Sequence, residues 1–114
     1  MASIVRKNFD SADEQHYPGR GQVDIVNVDG TAIRRLTFQP GWRWTEDVKP
    51  TAQTDLCLVP HVNIHIAGKL GVKMADGSEH EFGPGDVAVV PPGHDAWVVG
   101  NETVVIIEQT PNKV

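Results

Sequence analysis

The segment PHVNIHIAG, residues 60–68, alternates polar and aliphatic side chains with a period of two. His61, Asn63 and His65 share one parity, and three β-branched residues share the other. In a β-strand this places the three nitrogen-bearing side chains on one face and the aliphatic ones on the opposite face. If the polar face looks inward it forms a site; if it looks outward, the segment is an ordinary strand wetted by solvent.

Imidazole binds Zn, Fe, Mn, Ni and Cu, so these histidines suggest a divalent metal. His61 and His65 are four residues apart, about 13 Å along an extended strand, too far to chelate one ion together unless the strand bends. A metal would therefore need one of them plus residues from neighbouring strands. His94 is a candidate, and with Asp95 it could form an acid–base pair. The alternatives are histidines that only hydrogen-bond within a polar cavity, and an aspartate that only bonds the backbone of its turn.

Aromatic and thiol side chains lie close to these histidines in the sequence. Cys57 has the parity of His61 if the strand runs unbroken between them. It could be a soft metal ligand, an imidazole-activated nucleophile or, more commonly, a small buried core residue. Large aromatic side chains suit the wall of a small-molecule pocket, although they also pack often in cores. The candidates are all three tryptophans: Trp42, Trp44 and Trp97.

Composition argues against several classes of protein. The net charge of −5 and the absence of a Lys/Arg cluster argue against a nucleic-acid partner. No apolar run is long enough to serve as a signal peptide or to span a bilayer, so no membrane association is expected. The single cysteine excludes an internal disulfide and favours a reducing compartment, so we expect a cytoplasmic protein.

Strand patterns recur along the chain between glycine- and proline-rich turns. Residues 1–19 are polar and irregular and form a predicted arm that gains order only by packing on the domain or on a second subunit. Residues 20–114 form one predicted domain. Strands are predicted at 22–28, 31–38, 57–66, 69–74, 78–82, 87–90, 96–99 and 103–108, with a loop at 45–55 and no helix. So many short strands predict an all-β sandwich or barrel.

Two glycine-bounded stretches resemble the two sequence motifs of the cupins. The second motif, a glycine, five residues and then Pro-x-Gly, is matched by GDVAVVPPG. The first motif is matched at its opening by a glycine, five residues and an aspartate, and at its close by another glycine. The matching residues are Gly41, Asp47, Gly68, Gly85, Pro91 and Gly93. The resemblance runs from 41 to 96 and implies a double-stranded β-helix, or jelly-roll barrel, a fold that supports many chemistries.

The resemblance also implies where a metal would bind and how this chain departs from the family. Cupins take two histidines and a glutamate from the first motif and one histidine from the second. Asp47 and Lys49 stand at the two histidine positions here, and His61 stands at the glutamate position. Ala96 stands at the last histidine position, with His94 two residues earlier. The implied metal ligands are therefore a non-standard set: His61, His94 and Asp47.

In cupins the glutamate position faces the barrel lumen, which implies that the polar face of residues 61–65 points inward. The aliphatic face would then pack on a second sheet or on another subunit, which predicts a homodimer. The sequence leaves two functional hypotheses open. One is a non-catalytic cavity for a small organic ligand; its predicted lining residues are Trp42, Trp44, Cys57, Asn63, His65 and Trp97. The other is a metal-dependent enzyme, a dioxygenase, isomerase or lyase acting on a small organic substrate.

Overall fold

The computed structural model describes residues 3–58 and 61–109. Pro60, inside the predicted strand 57–66, and residues 110–114 of the predicted domain lie outside the described residues. Within the described chain the strands are β1 (Glu14–His16), β2 (Gly21–Val28), β3 (Thr31–Phe38), β4 (His61–Ala67), β5 (Lys69–Met74), β6 (Glu79–Phe82), β7 (Val87–Val90), β8 (His94–Val99) and β9 (Val104–Gln109). Two single-turn helices, α1 (Trp44–Asp47) and α2 (Lys49–Ala52), and a 3-10 turn at Phe9–Ser11 complete the fold.

The strands form two antiparallel sheets that enclose the core. The larger sheet has the order β1-β2-β3-β9-β4-β7, and the smaller has the order β6-β5-β8. This arrangement confirms the predicted all-β jelly roll. None of the helices in the described ranges is long and apolar enough to cross a membrane.

The predicted loop at 45–55 is wrong in one respect, because it contains most of α1 and all of α2. Each helix is a single turn of four residues, too short to show a helical period in the sequence. A proline in its first turn favours α2, since the missing N–H has no helical partner at that position. The predicted arm also contains a strand: β1 pairs with β2 in the larger sheet.

Strand β4 orients its side chains as the alternation predicts. Asn63 and His65 are buried on the inner face, while Ile64 and Ile66 are exposed on the outer one. The pairing of β4 with β9 shifts between His65 and Ala67, so the intervening residue bulges outward. The polar row therefore faces the interior of the barrel.

A single residue, Gly68, carries the chain from β4 in the larger sheet to β5 in the smaller one. Its φ is +72°, in the left-handed region that side chains with a Cβ seldom adopt. The backbone of Thr103 and Val104 lies so close that a Cβ on Gly68 would meet the Thr103 carbonyl oxygen at 2.5 Å. Gly68 is therefore required both by the turn and by the contact between the two chain segments.

We predict that Gly68→Ala destabilises the protein more than Gly77→Ala does. Both glycines have positive φ, so each alanine should cost about 1–2 kcal/mol of backbone strain. An added Cβ at Gly77 would have no atom within 4 Å. An added Cβ at Gly68 would also have to displace the backbone of Thr103 and Val104. Urea unfolding of the two variants measures the difference, and equal losses of unfolding free energy would refute the role of the contact.

Candidate metal centre and ligand cavity

A cavity of about 320 Å³ lies between the two sheets. Its wall is mostly aliphatic and aromatic, with polar groups contributed by both sheets and by the segment before β4. The polar residues that line it are Arg34, Cys57, His61, Asn63, His94 and Glu108. A volume near 300 Å³ is at the small end of the range for organic-ligand pockets.

The aromatic part of the wall comes from the end of β3 and the segment that follows it. The rings of Phe38 and Trp42 stack with their centroids 3.8 Å apart. Trp42 donates its Nε1–H to the Pro18 carbonyl at 3.1 Å, so its polar atom is satisfied. Trp44, the first residue of α1, is also buried and lines the cavity. These side chains present an apolar surface to a ligand.

Trp97 lies on another surface, unlike the two tryptophans of the cavity wall. The described residues that line the cavity do not include Trp97. The Arg43 guanidinium lies 4.8 Å from its ring centre, a cation–π distance. Its ring also covers Gly71, where an added Cβ would collide with the indole. Trp97 therefore packs Arg43 and β5 together on the outside of the smaller sheet.

Three potential metal ligands meet at one end of the cavity. One donor atom from each of Cys57, His61 and His94 lies within 4.8 Å of the other two. Cys57 Sγ is 3.6 Å from His61 Nε2, and the two imidazole centroids are 5.0 Å apart. A short backbone bridge fixes Cys57 opposite His94: the Cys57 N–H donates to the His94 carbonyl at 2.8 Å.

Both imidazoles have their Nδ1 atoms engaged by acceptors outside the cluster. His94 Nδ1 is 2.7 Å from the Pro91 carbonyl oxygen, which can only accept, so in the neutral ring Nδ1 carries the proton and Nε2 has the lone pair. His61 Nδ1 is 2.8 Å from Glu108 Oε1, an ion-pair distance, and neither atom has another hydrogen-bond partner in the described chain. Metal-binding histidines are oriented in this way by acceptors behind them.

The electrostatics of His61 are dominated by its neighbours. Burial favours the neutral ring, but the hydrogen bond with Cys57 and the contact with Glu108 outweigh it and raise the pKa of His61 to about 9. In the absence of a metal, His61 therefore carries the positive charge that balances buried Glu108 near neutral pH. A metal ion would replace this positive charge, because the imidazole can ligate through Nε2 only after that nitrogen loses its proton.

The structure does not bring Asp47 to this cluster. Its carboxylate accepts hydrogen bonds from Arg20 Nε at 2.9 Å and from the Arg43 backbone N–H at 2.8 Å. Burial favours the neutral carboxyl group of Asp47, but the Arg20 guanidinium and the backbone N–H groups of Arg43 and Arg20 outweigh it. They hold the pKa of Asp47 below its usual value. Asp47 thus connects α1 to the segment before β2, and Cys57 stands with the two histidines where Asp47 was expected.

Two other predicted ligand-binding residues differ in position. Asn63 lines the cavity and is 4% exposed, and its Oδ1 has no hydrogen-bond partner in the described chain. His65 is buried beyond the cavity wall, with its ring 5.2 Å from that of Phe82, and burial lowers its pKa. Only the first two members of the polar row, His61 and Asn63, therefore face the cavity.

Asp95 does not form an acid–base pair with His94. Neighbouring residues in a strand point to opposite faces, so His94 faces the cavity and Asp95 faces away from it. The Asp95 carboxylate accepts from Arg43 Nε at 2.9 Å and from the Thr45 N–H at 3.1 Å. It anchors α1 to β8.

Sequence reasoning missed Glu108, the acceptor behind His61. The available signal was parity: Glu108 alternates in step with Val104 and Ile106, which are fully buried in β9. A charged residue at the end of an apolar strand is commonly exposed, so alternation alone did not identify it.

No protein-family model matches the sequence, and no curated protein matches it. Solved structures of low identity share its fold. A cupin-like protein from Thermotoga maritima matches with a TM-score of 0.57 and 19% identity over 81% of this chain and 68% of that chain. The polyketide cyclase RemF from Streptomyces resistomycificus matches with a TM-score of 0.68 and 17% identity over 97% and 81% of the respective chains.

The oxalate decarboxylase of Lactobacillus farciminis, solved as a formate complex, matches all of this chain with a TM-score of 0.65 and 16% identity. The match covers 35% of that enzyme, so this chain spans about a third of its length. The two antiparallel sheets and the motif glycines, all four of which have positive φ, agree with these likenesses. The chain has the cupin-type small β-barrel fold.

Proposed function

We propose that this protein binds a small, mainly apolar organic molecule in its cavity, beside a divalent metal held by Cys57, His61 and His94. The observation that carries the proposal is the orientation of the two imidazoles. Each has an acceptor at Nδ1, and His61 directs Nε2 toward the thiol. Thiolate with two imidazoles is a donor set suited to Zn²⁺, Cu, Fe or Ni, and less suited to Mn²⁺. A reducing, cytoplasmic compartment would keep the thiol available.

The same donor set supports the second hypothesis, a metal-dependent enzyme. Three protein ligands are fewer than zinc usually takes, and catalytic sites leave the remaining position to water or substrate. The cavity is adjacent to the cluster, so a bound molecule would lie beside that position. A bound metal would supply polarisation of a substrate oxygen. A redox-active metal in the purified protein would favour oxygenase chemistry; zinc would favour binding, isomerase or lyase chemistry.

The exposed aliphatic face of β4 and β7 supports a homodimer. Val87 and Val89 are 69% and 73% exposed, and they pair across the strands with Ile64 and Val62. Strand β7 lies at the edge of the larger sheet and contains no charged residue or proline. Edge strands of monomers are usually protected by such residues. A second copy of the chain, related by a two-fold axis, would cover the same patch on both subunits.

We predict that protein purified without an affinity tag or added metal contains close to one equivalent of a transition metal. Cys57→Ala and His94→Ala should lower metal affinity by more than about 100-fold, because each removes a donor. Elemental analysis and titration with Co²⁺ measure this, and the cobalt–thiolate charge-transfer band should be absent in Cys57→Ala.

The matched control for the metal experiment is His80→Ala, which removes an exposed imidazole outside the cluster. It should retain wild-type metal content and the charge-transfer band. Metal-free wild-type protein that also fails to bind added Co²⁺, while remaining folded by circular dichroism, would contradict the metal site.

We predict that His61 in the metal-free protein titrates near pH 9, and that Glu108→Gln lowers its pKa. The charged ring is favoured by its partners, so the stability it contributes is present below the unfolded-state pKa of about 6.5. This stability is lost as pH rises through about 9. Nitrogen-detected NMR titration of the imidazoles measures both proteins, and an unchanged pKa in Glu108→Gln would exclude the proposed ion pair.

We predict that Val89→Lys converts a dimer to a monomer in size-exclusion chromatography with light scattering. A charge in the centre of the aliphatic face would be buried without a partner. Ile4→Lys is the control, because Ile4 is 96% exposed and lies outside the patch. A wild-type monomer at high concentration, or a Val89→Lys variant that remains dimeric, would remove the proposed interface.

A further inference from the structure

Asn63 is a polar residue of the cavity wall that does not belong to the cluster of Cys57, His61 and His94. It is 4% exposed, and its Oδ1 has no hydrogen-bond partner in the described chain. Leaving a buried acceptor unpaired costs free energy, and native structures usually satisfy such atoms. Because Asn63 lines the cavity, a molecule bound there could supply the missing donor.

The neighbours of Asn63 limit the chemistry of that donor. Strand register places Asn63 beside Glu108 on β9, and Glu108 beside Arg34 on β3. All three line the cavity, so one wall has a polar row across three strands. A ligand carboxylate is an acceptor only, so it could not donate the hydrogen bond that Asn63 Oδ1 lacks. An uncharged hydroxyl can donate to one acceptor and accept from another group, and it carries no charge that burial would penalise.

The rest of the wall determines the body of the ligand. Around the polar row the cavity is apolar, with aromatic rings from Phe38, Trp42 and Trp44. Aromatic side chains bind flat ring systems by stacking and edge contacts. A volume of about 320 Å³ limits the ligand to one or two rings.

Resting on the proposed ligand-binding function, we infer that the cavity selects a compact aromatic or conjugated ring compound bearing a hydroxyl group, which donates a hydrogen bond to Asn63 Oδ1. Asn63 is not one of the three potential metal ligands, so recognition of the hydroxyl does not require the metal. Asn63 is thus the residue that determines specificity for a hydroxylated ligand over an apolar one of the same shape.

The test uses three probes that share one ring system: 2-naphthol, naphthalene and 2-methoxynaphthalene. Isothermal titration calorimetry on the full chain, with and without metal, measures their affinities. The wild-type protein should bind 2-naphthol about tenfold more tightly than naphthalene, the effect of one satisfied hydrogen bond. The methyl ether accepts but cannot donate, so it should bind less tightly than 2-naphthol.

Asn63→Leu replaces the amide by an apolar group of similar size and should abolish the preference for 2-naphthol while naphthalene still binds. Asn27→Leu is the matched control, because Asn27 is exposed on β2 and outside the cavity wall; it should keep the preference. The probe series in the wild-type protein tests the inference even if Asn63→Leu does not fold.

The outcomes separate this inference from the proposed function. Equal affinity for 2-naphthol and naphthalene, or a preference for 2-naphthol that survives in Asn63→Leu, would overturn the role of Asn63 while leaving the cavity as a ligand site. Failure of all three probes to bind would overturn both the inference and the proposed ligand site.

Discussion

A carboxylate buried in a largely apolar interior governs the arrangement of the barrel wall. Glu108 is almost fully buried on β9, and a buried charge without a partner would cost several kcal/mol. His61 on the adjacent strand β4 supplies the opposite charge through Nδ1. This contact orients the imidazole, which in turn directs Nε2 toward Cys57. The orientation of His61 in the candidate metal cluster therefore depends on the need to neutralise one buried acid.

Two other buried acids differ from Glu108, because they face away from the cavity and pair with arginine. Asp24 contacts Arg35 at 3.0 Å on the outer face of the larger sheet, and Asp95 contacts Arg43 at 2.8 Å beside α1. Arginine stays charged at any physiological pH and its fork of donors satisfies a carboxylate, so these pairs serve as fixed connections. A histidine can instead exchange its proton for a metal ion. The only buried acid paired with histidine in the described chain is the one that lines the cavity.

The cavity has a polar side and an apolar side, because the inward residues are polar on some strands and aliphatic on others. Inward positions near the start of β4 and the end of β9 are polar, whereas the inward positions of β5 are aliphatic and β8 is polar only at His94. The segment after β3 adds aromatic rings, since α1 begins at Trp44 and turns that side chain inward. A ligand in this space would therefore meet hydrogen-bonding groups on one side and an apolar surface on the other.

Local order was predictable from the sequence alone, since it depends on neighbours in the chain. The period of two placed His61, Asn63 and their aliphatic neighbours on the correct faces of β4, and glycine-rich turns located most strands to within two residues. Contacts between distant segments were not predictable in this way. Cys57 meets His94 through a backbone bridge between residues 37 positions apart. Asp47 forms an ion pair with Arg20, 27 positions away. The sequence determined which side chains face inward; only the packing of the two sheets decided which of them meet, because distance in space between such residues bears no fixed relation to their separation along the chain.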